Sequence, residues 1–249
     1  MNFLPVYKKE LRSYFTSPIA YMVILFFLLM TGVFFMIIIN DFNQASMYAG
    51  SSYGRDYNLN ITNHVVRSLL GNLSVIMLFV IPLITMKLFA EERKTGTMEL
   101  LLTYPLSDMA ILLGKFFAAL TLLLVMLGLT LVYTLFMVIH SSPEPGTLFS
   151  GYLGLVLMAS AFVALGLFIS SLTENQLVAA VATFGVLLIF WVIQWLTPSE
   201  ILSYVSINKH IDNFIKGMID TRDVVYYLGF TVLWMFMTLR VLESKKWRG

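Results

Sequence analysis

In 249 residues this chain carries 59% hydrophobic and only 12% charged side chains, with a mean hydropathy of +0.83 and a net charge of +2. A soluble domain carries about 25% charged residues, so the composition defines an integral membrane protein. With no cysteine and three scattered histidines, His64, His140 and His210, disulfides, thiol catalysis and thiolate metal sites are excluded, and no nucleic-acid partner is expected.

A helix needs about 20 apolar residues to cross roughly 30 Å of hydrocarbon. Six stretches qualify: 19–39, 68–86, 116–139, 151–172, 177–196 and 224–242. Lipid offers no partner to unpaired backbone groups, so each must be helical. The expected fold is one all-α transmembrane domain over residues 1–249. No cleavable leader is expected, because the first apolar run is long enough to remain as an anchor.

Ahead of the first span, Tyr7, Leu11 and Tyr14 share a helical face among Lys8, Lys9, Glu10 and Arg12, which predicts an interfacial helix over 5–16. An ordinary basic flank to the first span explains the same residues. After that span, Asn40–Arg67 has no clear period and reads as an outer loop. Asn60-Ile61-Thr62 matches a glycosylation acceptor, a pattern common by chance.

Lys87 to Lys115 is a mixed-charge amphipathic insert between the second and third spans. Counting Lys and Arg with the N-terminus inside gives eleven on the cytoplasmic side and five outside. That places both termini and this insert in the cytoplasm. Gly96 suits a bend, Pro105 disfavours helix at Tyr104, and Ser107 suits the cap of the helix entering span three. The insert is therefore expected to be a bent, two-piece helical element.

The fourth span is rich in small residues, among them Ala159, Ala161, Ala164, Gly166, Ser170 and Ser171, which favours close helix packing over a transport role. Thr173 to Gln176 is a short inner turn, making spans four and five antiparallel neighbours. The segment 197–223 opens with a capping box at Thr197-Pro198-Ser199-Glu200 and continues with amphipathic spacing. One or two short helices dipping into the outer interface are expected there, as a re-entrant hairpin. Arg240 near the end of the sixth span has a stem long enough to snorkel.

Some chemistry is missing. Apart from Arg240 near the end of the sixth, the six apolar spans contain no Asp, Glu, Lys or Arg, which removes the usual carriers of a proton relay. Gly114-Lys115 lacks the earlier glycine and the following Ser or Thr of a P-loop, so any ATP must be bound by another chain. Glu91-Glu92 resembles the start of the EExxxR motif of prenyl-protein proteases, but position 96 is glycine and no paired histidines follow. No Ser–His–Asp or HExxH arrangement appears. The chain is not expected to be an enzyme by itself.

The run Glu91-Glu92-Arg93-Lys94-Thr95-Gly96-Thr97-Met98-Glu99-Leu100-Leu101-Leu102, then Pro105-Leu106-Ser107 and Gly114-Lys115, resembles the cytoplasmic coupling segment of ABC-2 type permeases. His210-Ile211-Asp212-Asn213-Phe214 with Gly217, Asp220, Arg222 and Asp223, and the ending Arg240 to Arg248, resemble the gliding-motility-associated branch. The resemblance implies a permease in the bacterial inner membrane, an exporter subunit paired with a second copy and with a cytoplasmic ATPase that holds ATP and Mg. An accessory outer-face subunit is a further partner that branch admits. Glu91, Glu92, Arg93, Gly96, Thr97, Glu99 and Leu101 would then dock the ATPase. Spans two and five would line the path with Asn72, Met77, Phe79, Thr183, Trp191 and Gln194, a lining suited to lipid-like or amphipathic cargo and also to plain bundle packing. Two alternatives stay open: a non-transporting subunit that links an ATPase to an outer-face protein, and a secondary carrier working alone.

Overall fold

The computed structural model describes residues 3–49, 60–97, 107–196 and 204–246, and these residues are helical almost throughout, with no strand among them. Helix α1 (Leu4–Thr16) carries Pro5 in its first turn, where a missing N–H costs nothing. Among the described residues six helices are long and apolar enough to cross a membrane. They are α2 (Pro18–Ala49), α3 (Arg67–Thr85) continued by α4 (Lys87–Lys94), α5 (Asp108–His140), α6 (Pro145–Leu172), α7 (Gln176–Leu196) and α9 (Thr221–Lys246). A shorter helix, α8 (Ile207–Ile215), precedes the last of them.

The spans expected from charge-free windows fall inside these helices, and the helices run further. Helix α2 continues through Asn40 and Asp41 to Ala49, into the expected loop, because nothing before Gly50 breaks it. Its polar end keeps its backbone bonds, and Ser46 Oγ donates back to Phe42 O at 2.8 Å. The second span starts early in a π-helical turn, Thr62–Val66, whose entry Asn60 secures by accepting from Thr62 N at 2.9 Å. Helix α5 starts at Asp108, ahead of the apolar run, with Ser107 Oγ accepting from Ala110 N at 3.3 Å as the expected cap.

The amphipathic face of α1 is turned onto α5, with Val6 and Tyr14 buried; Leu4 and Phe15 stay exposed. The centre of the bundle is α6. Of its most apolar stretch 78% is buried, and 72% for the second span, against 17–39% for the other four. Around α6 pack α3, α4, α5, α7, α8 and α9. The small residues of α6 make this possible. A Cβ on Gly166 would lie 2.2 Å from Thr85 Oγ1, so α3 and α6 touch backbone to side chain there. Asn175 caps α7 by accepting from Leu177 N at 2.9 Å, closing the short turn between α6 and α7.

At the opposite end α8 buries Ile207, Ile211 and Phe214 against the bundle. His210 lies between Asp223 Oδ1, facing Nδ1, and the carbonyl of Tyr204, 2.8 Å from Nε2. A carbonyl only accepts, so Nε2 is the donor in the contact with Tyr204. Asn213 Nδ2 donates to the other carboxylate oxygen at 2.8 Å. Gly217, with φ +89°, turns the chain from α8 toward α9.

Candidate functional site

The charged ends of α1, α4 and α5 meet at one end of the bundle. Their meeting starts with a close approach. A Cβ on Gly114 would lie 2.7 Å from Val6 Cβ and 3.1 Å from Tyr7 N, so only glycine lets α1 cross α5 at this distance. The next residue, Lys115, then reaches across. Its side chain is 1% exposed, and Nζ donates to Glu10 Oε1 of α1 at 3.0 Å and to Leu88 O of α4 at 2.6 Å. The same nitrogen lies 2.9 Å from Glu92 Oε2, an ionic contact rather than an aligned hydrogen bond. Glu92 Oε1 accepts from Lys9 at 3.1 Å. Partial burial pulls the Lys9 ammonium down, but its hydrogen bond to Glu92 and the charges of Glu92 and Glu10 outweigh this and hold it above the ordinary lysine value. Two carboxylates and two ammoniums thus form a clasp between α1, α4 and α5.

The junction of α3 and α4 is held from the other side by α6. Pro82 sits inside α3 and the helix is irregular at Met86. Beyond it, Ser170 Oγ accepts from Phe89 N at 3.0 Å and Ala90 N at 3.1 Å and donates to Met86 O at 3.0 Å. A hydroxyl from a different helix therefore caps α4, which has no side-chain cap of its own. Arg93 donates to Ser171 O at 3.0 Å and pairs with Glu174 at 3.5 Å. Gly96, at φ +69°, ends α4 in the left-handed conformation that glycine adopts without strain.

Of the residues assigned to ATPase docking, Glu91, Gly96 and Thr97 are exposed, as is Lys94. Glu92 and Arg93 are turned inward, into the clasp and onto the end of α6. Glu99 and Leu101 lie outside the described residues. Of the residues assigned to a path, Met77 and Thr183 are buried within the chain, Thr183 Oγ1 donating to Ala179 O at 2.7 Å, and Trp191 is 9% exposed. Asn72 is half-buried, and Phe79 is 50% exposed with its ring 4.9 Å from that of Phe184. The side chain of Gln194 lies outside the described set.

The sequence reading singled out neither Lys115 as a site nor Glu10 and Ser170. The partners are 105 and 81 positions apart in sequence, and no spacing rule connects them. The one available signal was the Gly114-Lys115 pair, a small residue beside a charge at the edge of an apolar run.

A six-span helical bundle with this charged end has the architecture of a transporter membrane subunit. Residues 4–247 match the family model described as ABC-2 family transporter protein. The chain belongs to that family, and so is a permease component of an ABC transporter that partners an ABC ATPase subunit. Among curated proteins none matches the chain.

Proposed function

We propose that this chain is the membrane half of an ATP-driven exporter in the bacterial inner membrane, working as a pair of copies over two cytoplasmic ATPases that hold ATP and Mg, with a lipid-like or other amphipathic cargo. The observation that carries the reading is the continuity of the second span with α4. The helix that occupies the interior of the bundle runs on into an exposed, charged end at Glu91–Thr97. The clasp and Ser170 fix the base of that end to three other helices. A push on residues 94–97 is therefore delivered to α1, α3, α5 and α6 together rather than absorbed by a loop. A cytoplasmic position for this end, and for both termini, follows from the Lys and Arg bias. The absence of a P-loop assigns ATP to the partner.

The face of the second span that stays open supports a paired arrangement. Ser68, Asn72, Val75, Phe79 and Leu83 recur at helical spacing along it, and Val75 and Phe79 are 42% and 50% exposed on an otherwise buried helix. The tightly organised outer end, where His210, Asn213 and Asp223 tie α8 to α9, favours a second reading: a member of the gliding-associated branch that links the ATPase to an outer-face protein.

Docking is tested by charge reversal at Lys94, which is exposed and takes no part in the clasp, together with Glu99. The double variant Lys94→Glu with Glu99→Lys should lose at least fivefold in co-purified ATPase while keeping the native helical signal. Unchanged co-purification would remove this end as the docking site.

A further inference from the structure

A cavity of about 290 Å³ opens beside the clasp, where the first turns of α2 and α7 and the junction of α3 with α4 come together near the end of α1. Its polar wall holds Lys87, Glu91, Ser13, Ser17 and Gln176, and its floor holds Val23 and Leu83. The wall's polar side chains keep open hydrogen-bonding capacity, while the charges of Lys87 and Glu91 act on each other. Among the described residues, Ser13, Ser17 and Gln176 make no side-chain hydrogen bond and Lys87 and Glu91 no ion pair, whereas the neighbouring Lys9, Glu10, Glu92 and Lys115 are all paired. The Lys87 ammonium is held in place over the ring of Tyr14, 4.4 Å from its centroid. That ring is fixed in turn, because the buried Tyr14 hydroxyl donates to Ile84 O at 2.9 Å. Lys87 and Glu91 stand one helical turn apart on α4, so the wall presents a positive and a negative charge side by side. Toward the hydrocarbon the rim is apolar and open, with Ile19 54% exposed.

An occupant of this cavity must straddle the boundary between water and hydrocarbon. It must offer an anion to a fixed lysine beside free hydroxyls, a hydrogen-bonding cation to a carboxylate a few ångströms away, and an apolar remainder to the floor. We propose that the cavity holds the headgroup of one phosphatidylethanolamine from the leaflet on the basic side. Its phosphodiester lies on Lys87 and the serine hydroxyls, its ammonium on Glu91, and its glycerol end over Val23 and Leu83. A choline headgroup has no N–H to give Glu91, and a glycerol headgroup brings that carboxylate no ammonium of its own. The lipid is a resident of the fold, beside the junction of α3 with α4. The inference rests on the membrane reading of the chain and on no step of export.

The test uses the full chain purified in detergent, without ATPase or nucleotide, so its outcome is independent of the exporter reading. The protein is mixed with equal amounts of phosphatidylethanolamine, phosphatidylglycerol and phosphatidylcholine in mixed micelles, and in a separate arm with inorganic phosphate. Native mass spectrometry counts the molecules retained. The expected result is one retained phosphatidylethanolamine, favoured several-fold over the other two lipids, with no retention of phosphate alone. Lys87→Gln should lower retention at least fivefold, Lys87→Arg should keep most of it, and Glu91→Gln should erase the preference over phosphatidylglycerol. Lys8→Gln, exposed on α1 away from the cavity, should bind as the native chain does. Should Lys87→Gln not fold, Ser17→Leu fills the cavity with every charge in place and must show the same loss. No retained lipid, equal retention of phosphatidylcholine, retention of phosphate alone, or native retention in the Lys87→Gln or Ser17→Leu chain would each overturn the proposal.

Discussion

Lys115 shows how a charge is kept at the end of a membrane helix. Its ammonium is out of water, but it gives hydrogen bonds to one carboxylate and one carbonyl and lies against a second carboxylate, with the Phe89 ring 5.0 Å away. Removing it leaves Glu10 and Glu92 facing each other with only the exposed Lys9 between them and water. Breaking a buried pair by deleting one partner costs about 3–5 kcal/mol. Lys115→Met should therefore destabilise the chain by about 3 kcal/mol in detergent unfolding, and adding Glu10→Gln should recover part of that loss, because the uncompensated carboxylate goes with it. Equal stability of Lys115→Met and the native chain would mean that the clasp contributes nothing. This residue was visible in the sequence only as one charge among many. Its fractional exposure could not be read there, since burial here is decided by a glycine that brings α1 close.

Among the elements, the junction of α3 with α4 depends on a residue of another helix. Ser170 serves two buried N–H groups and one carbonyl at once. Ser170→Ala leaves those groups without a partner, at about 1–3 kcal/mol for each buried group left unsatisfied. The variant should unfold at least about 3 kcal/mol more easily, and amide exchange at Phe89 and Ala90 should rise while exchange in α9 is unchanged. Uniform exchange in both helices would show that Ser170 does not hold the junction. The helices themselves were legible, because apolar length is written in composition, and so was the cap at Ser107. Their ends were not. The expected spans stop at Ile39 and begin at Phe116, but a helix ends where its backbone bonds find other partners, and neither Asp41 nor Lys115 offers any. The small residues of the fourth span pointed to close packing, and Gly166 against Thr85 realises it; which helix they pack against is long-range information that the sequence order does not hold.

For the whole molecule, the uneven burial of the spans is the informative feature. A helix as interior as the second span keeps one face open, from Ser68 to Leu83, and two copies facing each other across it would close the bundle. The chain has no cysteine, so single cysteines report without background. Val75→Cys or Phe79→Cys should cross-link two copies in membranes on mild oxidation, whereas a cysteine at Val225, exposed on α9, should not. Cross-linking at Val225 and none at Val75 or Phe79 would move the pairing face to the last helix.

The order of synthesis gives the central place of α6 another consequence. The helix around which the others pack is the fourth to leave the ribosome. Until it is inserted, the first three spans have the contacts of α2 with α3 and the clasp of α1, α4 and α5, but the amides at the start of α4 lack the Ser170 hydroxyl. The interior packing arrives late, when Gly166 and Ser170 reach their partners. A product that stops before residue 145 therefore keeps the charged clasp and lacks the helix around which the bundle closes.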